Sequence, residues 1–264
     1  MTESLFFTLV TAWILLAIFL FPLLLKVKAP YGRHSTGGWG KMIDNRTAWI
    51  IMELPSLALF TILFISGKGH KHSVYWVFWA LWVIHYFNRV IVFPIRTRTR
   101  GKKMPVLIMF LALIFNLINA GVNGYWLGSI AGSYGYGPAQ TGMADYYNEW
   151  LSDPRFIIGI VMFVAGFLIN QVADNHLIKL RKKKSGTYSI PTHRLFRHIS
   201  CPNFGGEIME WTGFAIMTWS LPGLSFALWT AVNLIPRAIH HHRWYKSTFP
   251  EYPENRKAVI PGIL

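Results

Sequence analysis

SVYWVFWALWVIHYFNRVIVFPIRTRTRGKK, residues Ser73 to Lys103, decides the fold. The part from Ser73 to Ile95 is almost continuously apolar, and an apolar run of about 17–25 residues is what a helix needs to cross a bilayer. It ends in a burst of charge at Arg96, Arg98, Arg100, Lys102 and Lys103. A span flanked on one side by such a basic loop is oriented with that loop in the cytosol. Inside the run stands His85-Tyr86-Phe87-Asn88-Arg89, in a place where polar groups are costly and therefore functional.

Outward from this stretch, the same pattern recurs. Seven runs read as spans: Leu5–Leu25, Thr47–Ser66, Ser73–Ile95, Met104–Trp126, Phe156–Ala173, Glu207–Leu221 and Leu224–Ile239. The last two are short and meet at Ser220-Leu221-Pro222-Gly223, the punctuation of a tight helical hairpin. The loops test the count. The first carries Lys26, Lys28, Arg33, Lys41 and Arg46, and the fifth runs from Lys179 through Arg181–Lys184 to Arg197. The second has only Lys68 and Lys71, the fourth sets Asp145, Glu149 and Asp153 against Arg155, and the sixth has no charge. Basic odd loops and non-basic even loops put the N-terminus outside and the C-terminus in the cytosol. The expected fold is an all-α polytopic membrane bundle of seven transmembrane helices, a single domain over 1–264.

Composition agrees. Only 14% of residues are charged, against about a quarter in soluble domains. A net charge of +15 on a soluble chain would suggest nucleic acid, but here the cations sit in short loops between apolar runs, which excludes that reading. The single cysteine, Cys201, rules out an intramolecular disulfide. His240-His241-His242 resembles a metal site, yet consecutive helical residues point about 100° apart and cannot converge on one ion, so no metal is expected.

Three groups of polar residues stand where the membrane should be. Glu53, in Trp49-Ile50-Ile51-Met52-Glu53-Leu54-Pro55-Ser56, lies about one and a half turns inside the second span, just ahead of a proline that frees backbone groups. Its carboxyl, when protonated, can donate a hydrogen bond. Tyr86 and Arg89 are three apart and share a helical face. A buried tyrosine beside an acid is a proton donor. The third group runs from Asn170 to Glu210 and includes Asn170, Asp174, Arg181, Tyr188, Asn203 and Glu207. Donors and acceptors at that density at the mouth of a bundle suit a polar ligand with phosphates and amides. No Gly-x-Gly-x-x-Gly follows a strand, so a nicotinamide cofactor would not sit on a Rossmann fold.

These residues carry a resemblance. Tyr31-Gly32-Arg33-His34, Glu53-Leu54-Pro55-Ser56, His85 to Arg89, Asn119 to Tyr125, Asn203-Phe204-Gly205-Gly206-Glu207, Thr218 to Pro222, Arg237 to Tyr245 and the tail Tyr252 to Pro261 together resemble the steroid 5α-reductase family over nearly the whole chain. The resemblance implies a seven-span, multi-pass membrane enzyme of the bacterial inner membrane or the endoplasmic reticulum. It implies NADPH as cofactor and a 3-oxo-Δ4-steroid, entering from the lipid phase, as substrate. It makes Glu53 and Tyr86 the catalytic pair that holds the 3-oxo group. It makes Tyr31, Arg89, Asn170, Asp174, Leu177, Arg181, Tyr188, Asn203, Glu207, Trp211, Arg237, His241 and Tyr245 the cofactor set, mainly within 170–264, with one of Arg98, Arg100 or Lys102 adding a phosphate contact. Lipids are the other expected partners; a monomer is compatible with all of this. An enoyl-thioester or polyprenol reductase is the nearest alternative, and an isoprenylcysteine-type methyltransferase a more distant one. Against a transporter stand the lack of an internal repeat and the clustering of polar groups on the cytosolic side.

Overall fold

The computed structural model describes residues 1–30, 32–34, 38–69, 71, 73–97, 101–133, 150–183 and 188–264. Tyr31, Arg98, Arg100 and Lys184 lie outside the described residues. Among the described residues there are seven long helices: α1 (Glu3–Lys26), α2 (Asn45–Ser66), α3 (Ser73–Arg96), α4 (Val106–Ile130), α5 (Pro154–Lys183), α6 (Pro202–Thr218) and α7 (Leu221–Thr248). The first five are long and apolar enough to cross a membrane. α6 has 17 residues, and α7 carries a strongly polar end from Arg237 onward.

Each apolar run has become one of these helices, with departures at the ends: α6 starts at Pro202 rather than Glu207, and α4 runs on to Ile130 rather than Trp126. α5 continues to Lys183 rather than stopping at Ala173, because nothing between Asp174 and Lys183 breaks a helix. α7 likewise runs on from Ile239 to Thr248. The hairpin break falls at Trp219, which takes a left-handed conformation (φ 43°), and Ser220, whose Oγ accepts from the Gly223 N–H at 3.0 Å and caps α7. A short antiparallel ladder also forms between β1 (Met42–Asp44) and β2 (Lys103–Pro105), in register Met42 with Pro105 and Asp44 with Lys103. Asp44 then caps α2: its carboxylate accepts from the Thr47 and Arg46 N–H groups, which hold its pKa below the usual carboxylate value.

The chain divides into two compact units, Met1–Val10 with Ala29–Ile157, and Thr11–Lys28 with Ile158–Leu264. In the first unit α2 and α4 run parallel in constant register: Asn116 meets Met52, Gly124 meets Phe60, and Gly128 meets Leu63 and Phe64. A Cβ at Gly124 would stand 2.9 Å from the Phe60 carbonyl oxygen, so only glycine permits this approach. Spacing small residues four apart is how helices associate closely in a membrane, where no hydrophobic effect drives them together. α3 packs antiparallel on α2, with Trp82 stacked on Phe60 (4.2 Å) and Trp76 edge-on to Phe64 (5.0 Å).

In the second unit the same device joins α5 to α6 antiparallel. Gly159 faces Gly213 and Gly166 faces Gly206, so the seven-residue spacing on one helix meets its mirror on the other. α6 packs on α7 through Trp211 and Phe226 (4.1 Å), and Trp229 Nε1 donates to the Trp13 carbonyl at 3.0 Å. The tail folds back on the strand-like segment before α6: Ser200 N donates to Lys257 O, Cys201 N to Ala258 O, and Lys257 N to His198 O.

Candidate active site

Pro94 determines the local geometry of α3. A proline inside a helix has no N–H to give and clashes with the carbonyl four residues earlier. Here the helix answers by widening to a π turn over Asn88–Val92, in which Phe93 N donates to Asn88 O. Such turns recur at functional sites. This one carries Arg89. The Arg89 guanidinium reaches across to α2, where Nη2 donates to Glu53 Oε1 at 3.0 Å. Trp49, one turn before Glu53, flanks the pair: its ring lies 4.6 Å from the Arg89 guanidinium, and its Nε1 donates to the Arg89 carbonyl at 3.1 Å.

Both charges are largely enclosed, with side chains 15% (Arg89) and 8% (Glu53) exposed. Each satisfies the other in a setting where a lone charge would cost several kcal/mol. Tyr86 sits one turn before Arg89 and is 3% exposed. Its ring packs on Trp82 (5.1 Å) and His85 (5.0 Å), and Trp82 Nε1 donates to the Ser56 carbonyl at 2.7 Å. The antiparallel contacts Trp82–Ser56 and Arg89–Glu53 bracket Tyr86, so Tyr86 and Glu53 stand at about the same level on facing helices. The sequence put Tyr86 and Arg89 on one helical face, and the resemblance paired Tyr86 with Glu53; Arg89 as direct partner of the carboxyl is a product of the fold.

The remaining described members of the cofactor set lie in the second unit, and all but Tyr188 fall into three stripes. Asn170, Asp174, Leu177 and Arg181 share one face of α5; Asn203, Glu207 and Trp211 share one face of α6; Arg237, His241 and Tyr245 share one face of α7. The stripes of α5 and α6 are bonded to each other, and that of α7 meets α6 through ring contacts. Asn170 Nδ2 donates to the Asn203 carbonyl (3.0 Å) and to Glu207 Oε2 (3.3 Å), and Asn203 Nδ2 donates to Asp174 Oδ1 (3.0 Å). His241 stacks on Phe204 (5.6 Å), over which Arg237 also lies (5.1 Å). Arg181 stands 5.5 Å over the ring of Tyr188, itself edge-on to Trp244.

Two members have a strong packing role. Trp211 is 1% exposed and enclosed by Phe163, Phe214 and Phe226, and Tyr245 is stacked on Tyr252 at 5.2 Å. Sequence reasoning missed two features. One is the row Asn116, Asn119 and Asn123, all buried on α4, for which three amides in an apolar run were the available signal. The other is Ser200, whose Oγ meets His242 Nδ1 at 2.6 Å and the Tyr252 hydroxyl at 2.7 Å. Among the described residues no group of His, Cys, Asp and Glu side chains is arranged to hold a metal.

Five helices long and apolar enough to span a bilayer, two of them joined by an enclosed acid–guanidinium pair beside a tyrosine, define a helical membrane protein. Residues 102–264 match the family described as 3-oxo-5-alpha-steroid 4-dehydrogenase. The chain is 41% identical to the steroid 5-alpha-reductase DET2 of Gossypium hirsutum over 90% of its own length and 89% of the relative's. It is 38% identical to the 3-oxo-5-alpha-steroid 4-dehydrogenase 1 of Bos taurus, over 94% and 93% of the two chains. The human protein of the same name is 36% identical over 89% and 86%. The chain belongs to the 3-oxo-5-alpha-steroid 4-dehydrogenase family and is an oxidoreductase of that kind.

Proposed function

We propose that this protein reduces the 4,5 double bond of 3-oxo-Δ4-steroids to the 5α-dihydro products, with NADPH as reductant. The observation that carries the chemistry is the enclosed Glu53–Arg89 pair at 3.0 Å, level with Tyr86. Reducing a conjugated enone needs stabilisation of the negative charge that builds on its carbonyl oxygen. The Tyr86 phenol donates to the 3-oxo oxygen, and the Glu53 carboxyl does so in the form that has taken up a proton, with Oε1 still accepting from Arg89. Arg89 fixes the carboxyl, and its positive charge offsets the one that develops. Carbon 4 then takes a proton from water or through Tyr86.

The donor chemistry of the second unit fits a phosphorylated nicotinamide. Amide and carboxyl groups at Asn170, Asp174, Asn203 and Glu207 are already linked in one network and suit the carboxamide end. Arg181 and Arg237, each held over an aromatic ring, suit phosphates, with Tyr31, Leu177, Tyr188, Trp211, His241 and Tyr245 completing the set. When bound, NADPH supplies the hydride that reaches carbon 5. In this reading all seven helices cross the membrane, the N-terminus lies outside, residues 170–264 form the cytosolic cofactor half of a single domain, and the steroid arrives from lipid.

The test is purified protein in detergent with NADPH and testosterone or progesterone, read by mass spectrometry. The 5α-dihydro product supports the reading. Thermal stabilisation by NADPH without product would move the substrate to an enoyl thioester or a polyprenol, and neither effect would sink the proposal.

A further inference from the structure

The three buried asparagines of α4 are not equivalent. Asn116, Asn119 and Asn123 lie on one face at i, i+3 and i+7, each 5% exposed or less. Asn116 spends its amide on the Met52 carbonyl (2.6 Å), in the turn of α2 that Pro55 disturbs, and Asn123 donates to the Asn119 carbonyl (3.0 Å) and side-chain oxygen (3.2 Å). Asn119 thus has its side-chain oxygen satisfied, whereas its Nδ2 is buried with no hydrogen-bond partner among the described residues. On α2, the Ser56 hydroxyl is in the same condition, in a residue with no exposed surface.

The two groups fall at one level. In the parallel register that pairs residue 52 with 116 and 60 with 124, Asn119 stands opposite residue 55 and Ser56 opposite Ala120. Glu53 is two positions before that level, about 3 Å along the helix axis. Two unsatisfied polar groups in a core are rare and costly, and a ligand oxygen that pairs with them recovers the cost.

We propose that Asn119 is a further hydrogen-bond donor to the substrate oxygen held by Glu53 and Tyr86, with Ser56 beside it. This rests on the reading above. A carbonyl oxygen that gains charge can accept a third hydrogen bond, and a neutral amide stabilises that charge without titrating. The residue therefore contributes to the reduction step and contacts only the steroid.

Asn119→Leu tests this, because leucine fills a similar volume and removes an unsatisfied amide from an apolar interior. The expected result is an unchanged or raised melting temperature without ligand, wild-type stabilisation by NADPH, and a fall of tenfold or more in kcat/KM for testosterone. Ser56→Ala should follow in the same direction by a smaller factor. Should Asn119→Leu fold poorly, Asn119→Ala measured the same way replaces it. Wild-type kcat/KM in the variant overturns the inference, as does a loss that tracks a fall in melting temperature and in NADPH stabilisation. A wild-type protein that reduces no steroid overturns the underlying function and this inference together, an outcome distinguishable from the other two.

Discussion

Adding one methyl group at Gly206 should disturb both the packing of α6 and the polar network beside it. A Cβ there would lie 2.7 Å from the Asn170 backbone nitrogen and 2.7 Å from the Gly166 carbonyl oxygen, with Ile169 Cγ2 at 3.1 Å. The first two are backbone atoms and cannot swing aside. Ordinary contact begins at 3.4 Å, so α5 must retreat by about 0.7 Å at this point. That retreat carries Asn170 with it. Its bond to the Asn203 carbonyl stretches from 3.0 Å to about 3.7 Å, and its contact with Glu207 from 3.3 Å to about 4.0 Å, both beyond hydrogen-bond reach. Overpacking costs about 1–3 kcal/mol and the lost bond about 1 kcal/mol, while alanine regains up to about 1 kcal/mol of helix propensity. The net loss is about 2 kcal/mol, which lowers the melting temperature of a chain this size by roughly 4–8 °C. The same displacement should weaken NADPH binding roughly fivefold to tenfold, since Asn170, Asn203 and Glu207 move apart. Gly121→Ala is the control, because a Cβ there meets nothing within 4 Å. The assay is thermal unfolding in detergent with and without NADPH. A Gly206→Ala protein with wild-type melting temperature and wild-type NADPH stabilisation would refute the close-packed register of α5 and α6.

Glu53→Gln and Tyr86→Phe should each cut steroid turnover about a hundredfold or more while NADPH stabilisation stays near wild type; near-normal turnover in both would remove the pair from the chemistry. Arg89→Leu leaves the Glu53 carboxyl enclosed without its cation and should cost about 3–5 kcal/mol, whereas adding Glu53→Gln to it should recover much of the loss; a double-mutant melting point no higher than that of Arg89→Leu alone would argue against direct pairing. His242 lies beyond the apolar part of α7 against Ser200, and burial, followed by the nearby charges of Lys246 and Lys257, holds its pKa below the usual 6.5. The unfolded chain therefore takes up the proton first, so this contribution to stability is complete above pH 6.5 and is lost as pH falls below it. Melting temperature should drop more between pH 7.5 and 5.5 in the wild type than in His242→Gln, and equal drops would assign the pH dependence elsewhere.

The positions of all seven helices were legible from the residues alone. A helix in a bilayer must satisfy its own backbone hydrogen bonds, so the apolar run that reports it is local, and Ser73–Ile95 became α3 (Ser73–Arg96) almost residue for residue. Glu53, Tyr86 and the polar stretch from Asn170 were legible for the same reason, because a polar side chain in an apolar run announces itself. What depends on the register between two runs was not. The pairing of Arg89 with Glu53 joins positions on different helices and needs the π turn that Pro94 forces. Gly166 opposite Gly206, and Gly124 against Phe60, are ordinary glycines in the sequence and become close approaches only once two axes are brought together. The β1–β2 clasp is too short to carry a strand signal, and the difference between Asn119 and its neighbours Asn116 and Asn123 exists only in who receives each amide. Local chemistry determined which segments are helices and which polar residues stand inside them; tertiary contact decided which of them meet, because pairing across helices is set by backbone approach that no single run contains.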